Sequence, residues 1–235
     1  IVFSTTFDYA YTPLDLMIYK MDNSYYVLKD MDPKLRKYGE AIVKEFGMKE
    51  RFFHIEFFRE GDDYIAIEYN NRPAGGFTID VYNFAHSLDL YRGYAAIVAG
   101  EEFPASEFEP QYCLATSRRA NAHYVYSEED LIDKYSQQFK VKKIMPAAFA
   151  ELQGDYLYML TTPSRQEMDQ MIKDFGQRQA WETIGLRKFT PLVLLFFIRN
   201  TADWNKSRTI FEVLFDMSPG FLNKIVLRWV GRNKK

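Results

Sequence analysis

The chain has 235 residues, enough for one large domain or two small ones, and 47% of them are hydrophobic, which excludes global disorder. With 30 basic against 32 acidic residues and a formal net charge of −2, it has no long-range attraction for nucleic acid, so any recognition of anions is local. The single cysteine, Cys113, excludes an intrachain disulfide and suits a reducing, cytoplasmic setting, and no apolar run reaches the roughly 18 residues of a transmembrane segment.

The sequence opens at Ile1 rather than Met, in the strand-like run Ile1-Val2-Phe3-Ser4-Thr5-Thr6, with no basic-plus-apolar leader. Such an opening is expected of a fragment, a processed chain or a chain whose first residues are not in view. β-branched and aromatic residues predict strands over 1–10 and 25–30. Pro33 then opens a helix over 33–46 with Asp32 as its N-cap, and Leu35, Tyr38, Ala41, Ile42 and Phe46 give it a packing face. Two strands follow, 52–58 and 64–70, joined by Glu60-Gly61-Asp62-Asp63, a polar link that suits a hairpin. Helical spacing returns through Ile79, Val81, Tyr82 and Phe84, then through Leu90, Tyr91, Tyr94, Ala95 and Val98, with Gly100 as the stop.

A second unit is expected from about residue 108. Strands are predicted at 112–116, 123–126, 142–145 and 155–160, forming a small sheet. Ser127 caps a helix to about Tyr135, and Ser164 caps another from Arg165 to about Phe175, ended by Gly176. The tail, 179–235, combines an apolar run (192–198) with an amphipathic stretch (209–229) broken at Pro219-Gly220.

The chemistry concentrates in the hairpin. Strand side chains alternate, so His54, Glu56 and Phe58 share one side of the first strand, and Ala66, Glu68 and Asn70 one side of the second. Glu56 and Glu68 can therefore face each other with Asn70 a step further along: three oxygen donors for a hard cation such as Mg²⁺. Without a cation, two facing carboxylates repel. Arg72, one strand step on, can grip a phosphate or carboxylate in bidentate fashion. Gly75 and Gly76 let the backbone approach a ligand, just before a helix whose free N–H groups begin near Phe77.

The stretch His54-Ile55-Glu56-Phe57-Phe58 … Glu68-Tyr69-Asn70-Asn71-Arg72-Pro73-Ala74-Gly75-Gly76 resembles the metal-binding hairpin of ATP-grasp enzymes of the carboxylate–amine ligase and biotin-carboxylase-like kind. The resemblance implies that Glu56, Glu68 and Asn70 ligate Mg²⁺, two ions in this family, against the phosphates of ATP. It implies that Arg72 holds the acyl phosphate or the carboxylate substrate and that Gly75 and Gly76 line the nucleotide side. The fold it implies is α+β: an antiparallel sheet with flanking helices over 1–105 as a second ATP-grasp lobe, and a small α/β C-terminal subdomain over 106–178. The family's first lobe, with its phosphate-covering lysines and Gly-rich loop, has no counterpart before Glu56. ATP, a small carboxylate and that missing N-terminal lobe are therefore the expected partners, with a homo-oligomer left open.

Blander roles stand beside these. His54 reads as a structural, hydrogen-bonded histidine. His86 and Asp89 fall on a helix behind the site, with Asp89 a candidate support for Arg72, and Arg118-Arg119 reads as an exposed, solvated pair that could meet a substrate carboxylate. Three functions follow: a ligase that activates a carboxylate as acyl phosphate, a non-catalytic ATP-grasp-derived binding or regulatory module, and a scaffold that meets membranes through its basic, aromatic tail.

Overall fold

The structure, a computed structural model, describes residues 1–12, 16, 21–104, 106 and 108–179. Seven strands and six helices lie within those residues: β1 (Phe7–Tyr9), β2 (Ser24–Val27), α1 (Pro33–Glu45), β3 (His54–Glu60), β4 (Asp63–Asn70), α2 (Thr78–His86), α3 (Leu90–Val98), β5 (Tyr112–Arg118), α4 (Glu128–Lys134), β6 (Phe139–Ile144), α5 (Ala147–Gln153), β7 (Tyr156–Thr162) and α6 (Arg165–Gly176). The class is α+β: five strands form one sheet in the order β1-β2-β5-β7-β6, every pairing antiparallel, and β3-β4 form a separate two-stranded sheet.

Both faces of the larger sheet are covered. Tyr25, Val27, Cys113, Ala115, Leu157 and Met159 pack with Val81 and Ala85 of α2. The alternate residues Tyr26, Leu114, Tyr158 and Leu160 pack with Leu131 of α4 and with Met168, Met171 and Phe175 of α6. Period-two alternation thus sends successive side chains into two different cores. This is why β5 and β7 read as near-continuous buried runs rather than alternating ones. The polar groups on these strands satisfy one another, as where Ser24 and Thr116, directly opposite in register, share a 2.7 Å hydrogen bond.

The sheet crosses the boundary expected near residue 105. Because β2 pairs with β5, residues 108–175 do not close a sheet of their own, and residues 1–178 form one compact unit. Of the run 1–10, only Phe7–Tyr9 is a strand. The strand expected at 123–126 reduces to a single bridge between Tyr124 and Arg178. Helix α5 has no counterpart in the sequence reading, and the tail elements at 192–198 and 209–229 lie outside the described residues.

Local chemistry fixes the helix ends. Asp32 Oδ1 accepts from the Lys34 amide at 2.8 Å, with Pro33 in the first turn. Ser127 and Asp130 form a reciprocal capping box, and Ser164 Oγ accepts from the Glu167 amide. On α1 Val43 is the buried residue, with Leu35, Tyr38 and Ile42 of the expected face half-buried around it, whereas Phe46 stays 60% exposed. Among the described residues, no helix is long and apolar enough to cross a membrane.

Leu131, fully buried between α6 and the sheet, anchors the second core. Leu131→Ala is expected to cost about 2–5 kcal/mol through lost transfer energy and the residual cavity. Urea unfolding followed by circular dichroism measures this, and a loss under about 1 kcal/mol would mean that the α4 side is not close-packed.

Candidate functional site

The site is built on the β3-β4 hairpin. Glu60 pairs with Asp63 across a two-residue turn, and Gly61 supplies its φ of 60°, a left-handed value that a side chain would resist. The turn is latched to α1. Lys34 Nζ lies 3.1 Å from an Asp63 carboxylate oxygen and donates to the Asp62 carbonyl at 2.9 Å. The Tyr38 hydroxyl donates to Asp63 at 3.0 Å, and the Tyr64 hydroxyl donates to Asp32 at 2.8 Å. Asp32 therefore caps α1 with one oxygen and holds the hairpin with the other. Two ring pairs fix the far end, Tyr69 stacked on Phe46 at 4.4 Å and Phe52 against Tyr94 at 4.8 Å.

The register puts Glu56 directly opposite Glu68, and His54 directly opposite Asn70. The four residues fall on two neighbouring cross-strand rungs of one face, the juxtaposition expected from alternation. Beyond Glu56 the alternation breaks. Phe57 lies opposite Ala66, which leaves Ile67 as the extra residue of a bulge, so Phe58 faces Ile65 rather than Ala66. Ala66 thus leaves the side of the strand on which the sequence reading placed it. Phe58 and Ile65, 64% and 49% exposed, form the next rung instead.

Electrostatically the rung is uncompensated. Like charges directly opposite on a sheet destabilise it, and among the described residues no Lys or Arg lies within 4.0 Å of either carboxylate. The nearest basic group is His54, whose Nε2 is 3.6 Å from Glu56 Oε1. Burial holds the His54 imidazole below its ordinary range. The Arg72 charge adds to that, while Glu56 and Glu68 oppose it.

Arg72 lies just past the end of β4, exposed, and its Nη1 donates to the Pro73 carbonyl at 3.0 Å. It forms no ion pair with an Asp or Glu among the described residues, and Asp89 does not support it. Asp89 instead caps α3, accepting from the Tyr91 and Arg92 amides. Gly75 and Gly76 precede α2, which begins at Thr78 with no side-chain cap. Thr78 Oγ1 donates to the Ala74 carbonyl at 2.8 Å and secures the turn. Asp80 in the first turn meets Lys143 Nζ of β6 at 3.7 Å and accepts from the Tyr91 hydroxyl at 3.2 Å.

Two neighbours of the site went unseen in the sequence. Lys143 reaches the start of α2 from 63 positions after Asp80, and no local pattern signals that pairing. The Tyr9 hydroxyl, at the end of β1, is pushed up first by burial and then by the charge of Glu56.

Arg118 and Arg119 are not the exposed pair that the sequence suggested. Arg118 is 5% exposed, its guanidinium 3.8 Å from the Tyr124 ring centroid and donating to the Tyr126 carbonyl at 2.6 Å. Arg119 donates to the carbonyls of Glu151 and Met21. His86 Nε2 lies 2.7 Å from Thr5 Oγ1. Cys113 is fully buried and burial pushes its thiol far up, so it is inert.

Among the described residues, no group of three or more His, Cys, Asp or Glu side chains is placed to hold a metal ion. A cation here would need Asn70 and oxygens from a ligand beside the two carboxylates, a donor set that Mg²⁺ accepts readily. The Asn70 amide nitrogen is buried with no hydrogen-bond partner, a sign that this corner is incomplete as it stands.

No protein-family model and no curated protein matches the sequence. Among solved structures, the chain is similar to a phosphoribosylglycinamide synthetase from Anaerococcus prevotii, at 9% identity and a TM-score of 0.47, over 65% of this chain and 44% of that one. The chain thus spans less than half the length of the structure it matches.

The His54 imidazole should titrate below about 6.5, the value of a free histidine. Its folded pKa is lowered, so the unfolded chain takes up a proton first and stability falls as pH drops below about 6.5. Glu56→Gln removes a charge that raises this pKa and should move the midpoint lower still. An NMR titration of the ring protons checks both, and an upward shift in Glu56→Gln would refute the electrostatic picture.

Proposed function

We propose that this chain is the metal- and phosphate-binding portion of an ATP-dependent carboxylate ligase of the ATP-grasp type, which activates a carboxylate as acyl phosphate for attack by an amine or another nucleophile. The observation that supports it most is the Glu56–Glu68 rung, two facing carboxylates without a basic counter-ion among the described residues. A cation between two facing carboxylates would turn their mutual repulsion into shared attraction.

In this reading Glu56, Glu68 and Asn70 hold Mg²⁺, two ions as in the resembling family, together with the phosphates of ATP. Bound there, the metal would neutralise charge developing on the transferred phosphoryl group. The chain's own residues orient the reactants. Arg72, exposed at the strand end, turns from the Pro73 carbonyl to the acyl phosphate or carboxylate oxygens, where its planar fork gives bidentate grip. Gly75 and Gly76 leave bare backbone before the uncapped first turn of α2, where N–H groups can meet an anion. Positioning carries most of the catalysis in such a transfer. The lysines and Gly-rich loop that cover the phosphates belong to a further lobe outside residues 1–178, and the reaction is set in the cytoplasm.

A second reading, a non-catalytic module that binds or regulates a partner, draws on Arg72, whose Nη1 is engaged by its neighbour's carbonyl rather than turned to the acid pair.

Glu68→Gln is expected to abolish ATP hydrolysis by the full-length protein and to weaken Mn²⁺ binding to this chain at least about tenfold, the lower end of what lost metal-site contacts cost. Electron paramagnetic resonance counts free Mn²⁺, and a coupled phosphate assay follows turnover. Unchanged hydrolysis in Glu68→Gln would sink the ligase reading. Mn²⁺ binding by a full-length protein that never hydrolyses ATP would favour the non-catalytic module.

A further inference from the structure

One rung along from the acid pair lies a second anomaly. The His54 side chain is 13% exposed, and its Nδ1 is buried without a hydrogen-bond partner. Directly across the hairpin, the Asn70 amide nitrogen is buried and partnerless as well. Buried polar atoms are nearly always bonded, so two orphans on one cross-strand pair call for a single explanation.

The orphans are complementary. When the imidazole carries its proton on Nε2, Nδ1 is an acceptor, the partner that the Asn70 N–H donor lacks. In that tautomer the Nε2–H points to the carboxylate of Glu56, 3.6 Å away, just beyond hydrogen-bond reach. That tautomer would serve both neighbours, Nε2–H for Glu56 and Nδ1 for the Asn70 amide opposite, the latter directly or through one water. His54 is not itself a third ligand, because it does not gather with Glu56 and Glu68 into a metal-holding group.

We propose that His54 is a positioning residue for the cation site: its Nε2–H fixes the Glu56 carboxylate in the orientation that meets a divalent cation jointly with Glu68, while Nδ1 is tied to the Asn70 amide. The inference rests on the metal-binding reading of the hairpin and adds to it a residue that acts through Glu56. Ligating groups are commonly held by such outer hydrogen bonds, and losing one weakens metal binding about 10–100-fold.

Paired polar substitutions separate this role from packing. A glutamine amide reaches as far as Nε2, so His54→Gln keeps the donor to Glu56. An asparagine amide reaches only as far as Nδ1, so His54→Asn loses it. Mn²⁺ titration of the chain by electron paramagnetic resonance should show His54→Gln within about threefold of the wild type and His54→Asn weakened about 10–100-fold. In a Glu56→Gln background, His54→Asn should have no further effect. A measurement on the unmutated chain guards against misfolding of the variants: ¹⁵N NMR of the His54 ring should show the proton on Nε2, with its shift changing when Mg²⁺ is added. Equal Mn²⁺ affinity for wild type, His54→Gln and His54→Asn, or a proton resident on Nδ1, would overturn the positioning role and leave the cation site standing. Failure of the wild-type chain to bind Mn²⁺ or Mg²⁺ would overturn the site itself, and the role of His54 with it.

Discussion

The larger sheet and both its cores depend on two strands that have no solvent face. β5 and β7 lie at the centre of the sheet, buried on both sides, and their successive side chains feed two separate cores. Burial of this kind contributes about 25 cal/mol for each Å² of apolar surface removed from water, so the central strands form the most rigid part of the unit. α2 packs against this platform on one side, and α2 is the helix whose first turn borders the candidate site.

The hairpin that carries the carboxylates is held quite differently. It makes no ladder to the larger sheet, and its visible attachments are Asp32, Lys34 and Tyr38 at the turn and two ring pairs at the far end. Polar contacts at an exposed turn contribute little each, so the hairpin is held less firmly than the central strands. Within the hairpin, however, the register is fixed by the turn and pinned again by the bulge. Glu56 therefore stays opposite Glu68 however the hairpin moves as a body. A rigid pair on such an arm would suit the cation site proposed for the hairpin.

The elements legible in the sequence were those whose cause is local. Asp32, Ser127 and Ser164 announce helix starts because a cap needs only its own next three residues. Gly61 between two alternating runs announces the hairpin, and the Glu56–Glu68 pairing follows from it. What stayed hidden is long-range or exceptional. The pairing of β2 with β5 joins residues about ninety positions apart, and nothing in either strand names the other. The bulge at Ile67 carries no glycine to mark it, so strict alternation misplaces Ala66. Arg118 and Arg119 look like a solvated pair until the loop at 124–126 folds over them, giving Arg118 a ring to lie on and a carbonyl to bond. Asp89 looked available to Arg72 because a sequence does not show that its carboxylate is occupied by the amides of its own helix.

The lone thiol of Cys113 sits on β5, with no exposed surface and a proton held tightly by burial. No other cysteine exists in the sequence to compete with it. An alkylating reagent can therefore reach sulfur only when the core between α2 and the sheet opens. The protein thus contains a chemical clock for its own opening: the labelling rate of one atom reports how often the core under α2 comes open, without dye, tag or substitution.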